Sequence, residues 1–331
     1  KMIPRWEHFG LTSKQIDEAI TVYREHTNKI MNVDYIDDFL EIVYKLDEKR
    51  NSVLNNNDLN KIEKINLLIE DCKNFGTRPF SSLARLAFIG KTFLKGFLDK
   101  KIISKKSYDS YLASISTVAT KMSQKIESVK RGDMKIEEYL EEYGHLRPGT
   151  WDITSHTYIE NPDLYFDTTS HSAIQSLAFK DNTSFHFSNK EKKDMGNEMI
   201  KMGINIKVDT LLDFIIRSIE AREYSKFLFS RNISEALTLI CEVGENYDFS
   251  RSDLSYLEIE TLLTLDSFRD KSELVSFLNK KIDANRKDYL ENQQIIMPSL
   301  ICSDKDVEVI EHFQSRANYI TSKKVIGQII D

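Results

Sequence analysis

Apolar residues recur at steps of three and four along most of the chain, which is the spacing of residues on one face of an α-helix. The clearest stripe runs through residues 107–129, and the segment 80–98 is apolar on nearly all sides, which is typical of a central buried helix. A capping box between Thr12 and Gln15 marks the start of the first long helix. The pattern predicts helices over residues 12–30, 35–49, 58–72, 80–98, 107–129, 135–142, 190–202, 210–229, 234–247 and 271–290.

Two parts of the chain break this helical pattern. Residues 144–188 contain Pro148, Gly149 and Pro162, which predict an irregular crossing, and the apolar pattern at 317–330 predicts short β segments near the C-terminus. We therefore expect an all-α, mainly helical protein built from two packed helical halves. The predicted parts are a first half over 1–160, a linker over 161–190, a second half over 191–316 and a connecting segment over 317–331.

Composition narrows the class of protein. The 331 residues include only 11 Gly and 5 Pro, which argues against sandwiches, barrels and propellers because those folds need a turn after every strand. The net charge of −6 argues against a nucleic-acid partner, and no apolar run approaches the roughly 18 residues of a membrane span. Three widely spaced cysteines are typical of reduced thiols, so we expect a cytoplasmic protein.

The densest group of chemically active side chains lies in the stretch 143–154. It holds His145, which can donate or accept a proton near neutral pH, Arg147, which can grip a carboxylate or phosphate, and Asp152. Two interpretations are open. The stretch is either part of a binding site or a buried turn in which Arg147 pairs with Asp152.

A second candidate lies at the start of the apolar helix. Pro79 suits a first helical turn, so Thr77 and Arg78 are predicted at the positive end of that helix, where an anion could bind. Arg85 follows about two turns later on a largely apolar helix and needs a partner if it is buried. The alternative is a structural ion pair.

A third candidate is a basic row on one predicted helix. Arg222 and Lys226 are like charges four residues apart, so an anion could offset their repulsion, and Arg217 and Arg231 extend the row. The alternative is a solvated basic face with Glu223 as the local partner.

Familiar catalytic motifs do not account for these residues. Gly90-Lys91-Thr92 resembles the end of a phosphate-binding loop, but it lies inside a helical pattern and the loop's first glycine is missing. The seven histidines have no metal-ligand spacing, so no metal site is predicted.

Three of these stretches together resemble the central region of phosphoenolpyruvate-synthase-like phosphotransferases. They are the stretch 143–153, which reads YGHLRPGTWDI, the GTRPF helix at 76–80, and the helix that carries Arg222 and Lys226. The residues 318–321, NYIT, resemble the exit from that region. Within the family, the forms GHLRPGT and GTRPF resemble the L-glutamine kinase type of capsular phosphoramidate biosynthesis.

The resemblance implies a dikinase-like reaction in the whole enzyme. ATP, with Mg²⁺, would pyrophosphorylate a mobile histidine with release of AMP, and one phosphate would then leave as Pi. The remaining phosphohistidine would pass its phosphoryl group to the side-chain amide of L-glutamine. Arg78, Arg85 and Arg147 are then candidates to bind the α-carboxylate, with Thr77 beside them. His145 would hydrogen-bond the amide or the incoming phosphoryl group, and Asp152 would bind the amide NH₂ or the α-ammonium. Arg222 and Lys226 would meet the phosphoryl charge.

The resemblance also implies that this chain is one part of a longer enzyme. We expect the ATP-grasp-like domain and the phosphohistidine domain to lie outside it, so the chain alone binds no cofactor, turns nothing over and contains no catalytic residue, with His145 as an auxiliary group. His171 sits in a stretch that lacks the glycines of the phosphohistidine loop and is not expected to carry the phosphoryl group.

Two other functions remain open. One is the same chemistry on another small acceptor, as in rifampicin phosphotransferase, for which a wide, aromatic-lined pocket is expected. The other is a helical scaffold without a small-molecule site. A scaffold predicts that Arg85, Arg147 and Arg222 lie apart, each neutralised by its own Asp or Glu.

Overall fold

The computed structural model describes residues 3–31, 34–166, 185–268, 270–293, 295–296, 301 and 311–312. These residues are mainly helical, which confirms the predicted fold class. The elements in chain order are α1 (Ile3–His8), α2 (Ser13–Ile30), α3 (Asp34–Asn55), α4 (Lys61–Asp71), a π-helix (Cys72–Thr77), α5 (Arg78–Asp99), α6 (Lys105–Ala113), α7 (Val118–Arg131), α8 (Ile136–Tyr143), α9 (Pro162–Tyr165), α10 (Asn189–Lys201), α11 (Val208–Glu245), α12 (Arg251–Leu254), α13 (Ile259–Leu263), a 3₁₀ turn (Leu265–Ser267), α14 (Lys271–Asn292), β1 (Ile295–Ile296) and β2 (Glu311–His312).

Local sequence signals place several helix ends correctly. The predicted capping box opens α2, where the Thr12 hydroxyl accepts from the Gln15 backbone and the Gln15 side chain accepts from the Thr12 backbone. Comparable boxes open α4 at Asn60 and α10 at Ser188. Each box satisfies N–H groups that the first helical turn cannot pair internally.

Two predicted helix boundaries differ in the structure. The stripe over 107–129 is split into α6 and α7, because the Thr117 side chain accepts from the Thr120 N–H and starts a new helix. The helices predicted at 210–229 and 234–247 are instead one 38-residue helix, α11. The polar residues between them do not interrupt it, since the Ser230 hydroxyl donates to the Phe227 carbonyl within the helix itself.

The chain forms two compact units, Lys1–Arg251 and Ser252–Asp331. In the first unit α11 is central and packs against α3, α4, the π-helix and α5. One buried cluster joins α5, α10 and the first half of α11. Its most buried members include Leu83, Leu94, Phe97, Met195, Leu211 and Phe214. A second cluster joins α3 and α8 to the middle of α11, through residues that include Leu46, Tyr139, Tyr143, Phe227 and Phe229.

The second unit is smaller. On α14 the residues Leu274, Leu278 and Ile282 are buried, and Asp270 caps the helix by accepting from the N–H groups of Ser272 and Glu273. Arg286 of α14 pairs with Asp253 at 3.0 Å. Strands β1 and β2 pair antiparallel, with Ile295 opposite His312.

The boundary between the compact units lies at residues 251 and 252 rather than within the predicted linker 161–190. Helix α11, from the predicted second half, packs on α3–α5 of the predicted first half, because its 38 residues present apolar side chains on several faces. Most of the predicted linker, His171, and the β segments predicted at 317–330 lie outside the described residues. No helix in the described ranges is long and apolar enough to cross a membrane.

Candidate functional site

The stretch after α8, which we call the 144–160 loop, folds back on itself. The Tyr158 N–H donates to the Leu146 carbonyl at 2.8 Å, and the Ile159 N–H donates to the Gly144 carbonyl at 3.0 Å. Only glycine fits at position 144, because an added Cβ would lie 2.2 Å from the Leu140 carbonyl oxygen. The glycine in the motif therefore allows the close turn between α8 and the loop.

Arg147 fastens this loop to α11. Its side chain is buried, with only 6% of the residue exposed, and burial lowers the pKa of its guanidinium. Nη1 donates to the carbonyls of Asp152 and Ser155 at 3.4 and 3.2 Å. Nη2 donates to the hydroxyl and the carbonyl of Ser234 on α11 at 3.3 and 3.5 Å. Arg147 thus binds backbone and hydroxyl oxygens, and its contact with Asp152 is to the carbonyl rather than the carboxylate.

The Asp152 carboxylate is occupied within its own turn. It accepts from the Thr154 N–H at 2.9 Å and from the Thr154 hydroxyl at 2.6 Å. The Ser155 hydroxyl also donates to it. Hydrogen bonds from Ser155 and Thr154 hold the pKa of this carboxyl below its usual value. Asp152 therefore shapes the loop and does not line the cleft described next.

A cleft of about 460 Å³ lies between the 144–160 loop, α3 and α11. It contains His145, the one predicted site residue that lines it, together with cations and carboxylates from α3, α8, α11 and the 144–160 loop. Its charged or titratable lining residues are Arg50, Glu141, His145, Glu160, Arg231 and Glu235.

His145 enters the cleft as a neutral ring. Its Nε2 lies 3.2 Å from the Ser230 hydroxyl oxygen, and that hydroxyl donates its own hydrogen to the Phe227 carbonyl at 2.8 Å. A hydrogen bond joins Nε2 to the Ser230 hydroxyl, and its direction is set by the tautomer of the ring. Burial, followed by the nearby charge of Arg231, lowers the pKa of His145 to about 4. At neutral pH the ring can form hydrogen bonds but carries no charge.

Two arginines of the cleft share one carboxylate. Arg50 Nη1 donates to Asp47 Oδ1 at 2.6 Å, and Arg231 Nη1 lies 3.1 Å from Asp47 Oδ2. The Arg231 guanidinium also lies over the Phe227 ring, with its carbon 4.9 Å from the ring centroid. The two side chains are 12% and 23% exposed. This arrangement leaves a net charge of +1 on one side of the cleft.

Carboxylates line the same cleft. Burial raises the pKa of Glu235, with the charge of Arg50 acting against the rise, and within the described residues Glu235 makes no ion pair. Glu160, in contrast, is engaged. It pairs with Arg251 at 2.8 Å and accepts from the Thr157 N–H at 2.7 Å. Burial acts to raise the pKa of Glu160, but these hydrogen bonds lower it overall.

Thr77 and Arg78 do not lie at a free helix end. The π-helix joins α4 to α5 without a break, and the Thr77 hydroxyl donates to the Lys73 carbonyl at 3.2 Å. The N–H of Arg78 also donates to the Lys73 carbonyl, so it is not available to an anion. The switch to wider π-helical bonding accommodates Pro79, which lacks an N–H group, inside a helical run.

The other predicted basic residues lie outside the cleft. Arg85 is exposed, so it meets no desolvation cost and, among the described residues, makes no ion pair. Arg222 pairs with its neighbour Glu223. Lys226 is exposed on α11. Among the cavities formed by described residues, none brings Arg85, Arg147 or Arg222 together with His145.

Besides His145, ten residues line the cleft, and none of them was predicted as a site residue. Arg231 and Glu235 lie four residues apart on α11, a spacing that is visible in the sequence and places two side chains on the same helical face. Arg50 gave no local signal, because only the packing of α3 against α11 brings it beside Arg231.

The arrangement suits a small ligand that carries both signs of charge. Two guanidinium groups supply donors in a geometry that matches a carboxylate, and Glu235 supplies an acceptor for an ammonium group. No cluster of three or more His, Cys, Asp or Glu side chains with metal-binding geometry occurs in the part of the chain that the structure describes.

His145 belongs both to the cleft and to the 144–160 loop. Comparison with other proteins gives no further information about the function. No family model, curated protein or solved structure matches this chain, so its function has to be inferred from the cleft and from the sequence motifs.

Proposed function

We propose that this chain is the acceptor-binding part of an ATP-dependent phosphotransferase, and that the cleft beside His145 receives L-glutamine as the acceptor. The observation that carries the proposal is the meeting, in one cleft, of His145 with the cations Arg50 and Arg231 and the carboxylate Glu235. L-Glutamine has a carboxylate, an ammonium group and a neutral amide, so each of its polar groups has a complementary side chain in the cleft.

The polarity of the cleft favours an amino acid over a drug-sized acceptor. Its volume is about 460 Å³, and six of its lining residues are charged or titratable. A rifampicin-like acceptor would need a wide apolar surface. The same family acting on another small polar metabolite is the nearest alternative.

In this proposal the chain contributes placement rather than covalent chemistry. The amide nitrogen of the acceptor would attack the phosphorus of a phosphohistidine held by a separate domain, where ATP and Mg²⁺ would also act. The P–N bond to that histidine would break, and the freed imidazole would take up the proton that the amide loses. An amide is a weak nucleophile, so the rate depends on holding it in line and away from water. Neutral His145 would hydrogen-bond the amide, and Arg147 would keep the 144–160 loop in position.

Calorimetry of the chain with L-glutamine tests the proposal, with L-glutamate and L-asparagine as selectivity controls. We expect L-glutamine to bind more tightly than either analogue. Arg231→Gln should weaken binding at least about tenfold, because it removes a charge-assisted donor from the cleft. Arg131→Gln is the matched control, since Arg131 pairs with Asp133 on the surface outside the cleft. Equal affinity for all three amino acids, or no binding, would contradict L-glutamine as the acceptor.

The second candidate function is a helical scaffold. The observation that favours it is that, among the described residues, Arg85, Arg147 and Arg222 share no cavity with His145, although of the three only Arg222 has the acidic partner that a scaffold predicts. Under this interpretation the cleft is an incidental gap between helices. Arg231→Gln and Arg131→Gln should then behave alike with every small ligand.

A further inference from the structure

The position of Asp47 shows that the spacing of Arg50 and Arg231 suits one carboxylate group. One carboxylate already reaches both guanidinium groups, at 2.6 Å from Arg50 and 3.1 Å from Arg231. The two arginines are therefore spaced so that a single carboxylate can bridge them. A ligand carboxylate of the same size fits the same pair of donors.

Most of the donors in this pair remain free for a ligand. Each guanidinium has five N–H donors, and within the described residues Arg50 and Arg231 each use only Nη1, in both cases toward Asp47. Both arginines line the cleft, whereas Asp47 is not among its lining residues. Asp47 thus holds the pair from one side and leaves the cleft side open.

Glu235 lies next to this pair and lacks a partner of its own. It follows Arg231 by one helical turn on α11, and its charge interacts with that of Arg50. Among the described residues no cation lies within ion-pair distance of its carboxylate. The remaining carboxylates of the cleft differ, because Glu160 is bound to Arg251 and Thr157 and Glu141 is exposed.

We infer that Arg50, Arg231 and Glu235 form a preformed subsite for the head group of an α-amino acid. The ligand carboxylate binds the free N–H groups of Arg50 and Arg231, and the ligand ammonium binds Glu235. Asp47 keeps the two arginines together when the cleft is empty. The inference rests on the proposed function for the cleft, and it assigns recognition to residues outside the YGHLRPGT motif.

The test uses the smallest ligands that carry each charge. The side-chain N–H signals of ¹⁵N-labelled arginine are followed by NMR during titration with glycine, sodium acetate and methylammonium chloride at constant ionic strength. Arg50→Lys and Arg231→Lys assign the two signals. We expect glycine to shift both signals and to bind at least about tenfold more tightly than acetate, because acetate lacks the ammonium group.

Glu235→Gln isolates the ammonium contact. In this variant the preference for glycine over acetate should fall to less than about threefold, while acetate still shifts both arginine signals. Glu242→Gln is the matched control: Glu242 lies on the same helix outside the cleft, where it pairs with Lys61, and its loss should preserve the preference. Unmoved arginine signals, or an unchanged glycine preference in Glu235→Gln, would overturn the subsite.

The outcomes also separate this inference from the proposed function. If glycine shifts both arginines but L-glutamine binds no more tightly than glycine, the head-group subsite stands and L-glutamine fails as the acceptor. If L-glutamine binds tightly while both arginine signals stay fixed, the acceptor stands and the subsite is wrong.

Discussion

Arg147 and the Arg50–Arg231 pair differ in how their N–H donors are used. Arg147 is buried in the 144–160 loop, and its hydrogen bonds go to backbone carbonyls and the Ser234 hydroxyl. Arg50 and Arg231 line the cleft and share a single carboxylate, that of Asp47. The difference separates an arginine that shapes the fold from arginines that are available to a ligand.

The comparison also shows why a motif residue is not always the binding residue. Removing a buried group leaves its partners without hydrogen bonds, so Arg147 is under strong constraint for folding alone. A partly exposed pair with spare donors contributes less to stability and more to recognition. The predictions below test this division, beginning with the largest expected effect.

Arg147→Ala should lower the free energy of unfolding by about 3 kcal/mol, because it leaves a cavity and several unpaired oxygens between the loop and α11. Arg231→Ala should lower it by only about 1 kcal/mol, since Asp47 keeps its bond to Arg50. Urea unfolding followed by circular dichroism measures both. Similar losses in the two variants would remove the distinction between the two groups of arginines.

Gly144→Ala should cost about 2 kcal/mol, because the new Cβ would meet the Leu140 carbonyl oxygen at 2.2 Å. Gly96→Ala on α5 is the matched control, since no atom lies within 4 Å of a Cβ there. That control should be neutral or slightly stabilising, because alanine favours helix more than glycine does. A tolerated Gly144→Ala would mean that the loop does not need its tight turn.

His145 should make the protein less stable in mild acid. Its pKa falls from 6.5 to about 4 on folding, so between these values the unfolded chain binds the extra proton. This contribution is present above about pH 6.5 and is lost as the pH falls toward 4, amounting to about 2 kcal/mol between pH 7 and pH 5. His145→Asn should lose about 2 kcal/mol less than the wild type over this range in urea unfolding. If the free energy of unfolding of the wild type and of His145→Asn had the same pH dependence, the His145 ring would be exposed to solvent rather than buried.

Arg222→Ala should change the free energy of unfolding by less than about 0.5 kcal/mol, because its only ion pair, within the described residues, is with its half-exposed neighbour Glu223. It should also leave the affinity for L-glutamine unchanged. A clear loss of affinity would mean that the basic row of α11 takes part in binding. It would also weaken the case for the Arg50–Arg231 pair.

Local patterns predicted the helices well where the signal lay in neighbouring residues. The capping box at Thr12 and the apolar positions of α5 are properties of a few consecutive turns, and the structure has both. The break inside α6–α7 was missed because Thr117 caps a helix without disturbing the apolar stripe. The continuity of α4 with α5 was missed because Pro79 is also a common first residue of a helix.

For the site, the sequence pointed to one residue of the cleft, His145, and to the loop that carries it. It could not distinguish a buried arginine from one beside a cleft, since Arg147, Arg85 and Arg231 look alike until their surroundings are known. Arg50 and Arg231, which both contact Asp47, lie 181 residues apart in the sequence (231 minus 50). Proximity between residues so far apart produces no periodic pattern in the sequence.

The sequence by itself determined that this protein is mainly helical, where several of its helices begin and end, and that the chain leaves the helical pattern after residue 143. These properties depend on side chains within one or two helical turns, so they can be read locally. Only the tertiary structure decided that α4 and α5 are continuous, that Arg147 binds the loop to α11, and that Arg50, Arg231 and Glu235 share a cleft with His145. The physical reason is that burial and proximity depend on how helices pack, and packing joins residues that are far apart along the chain.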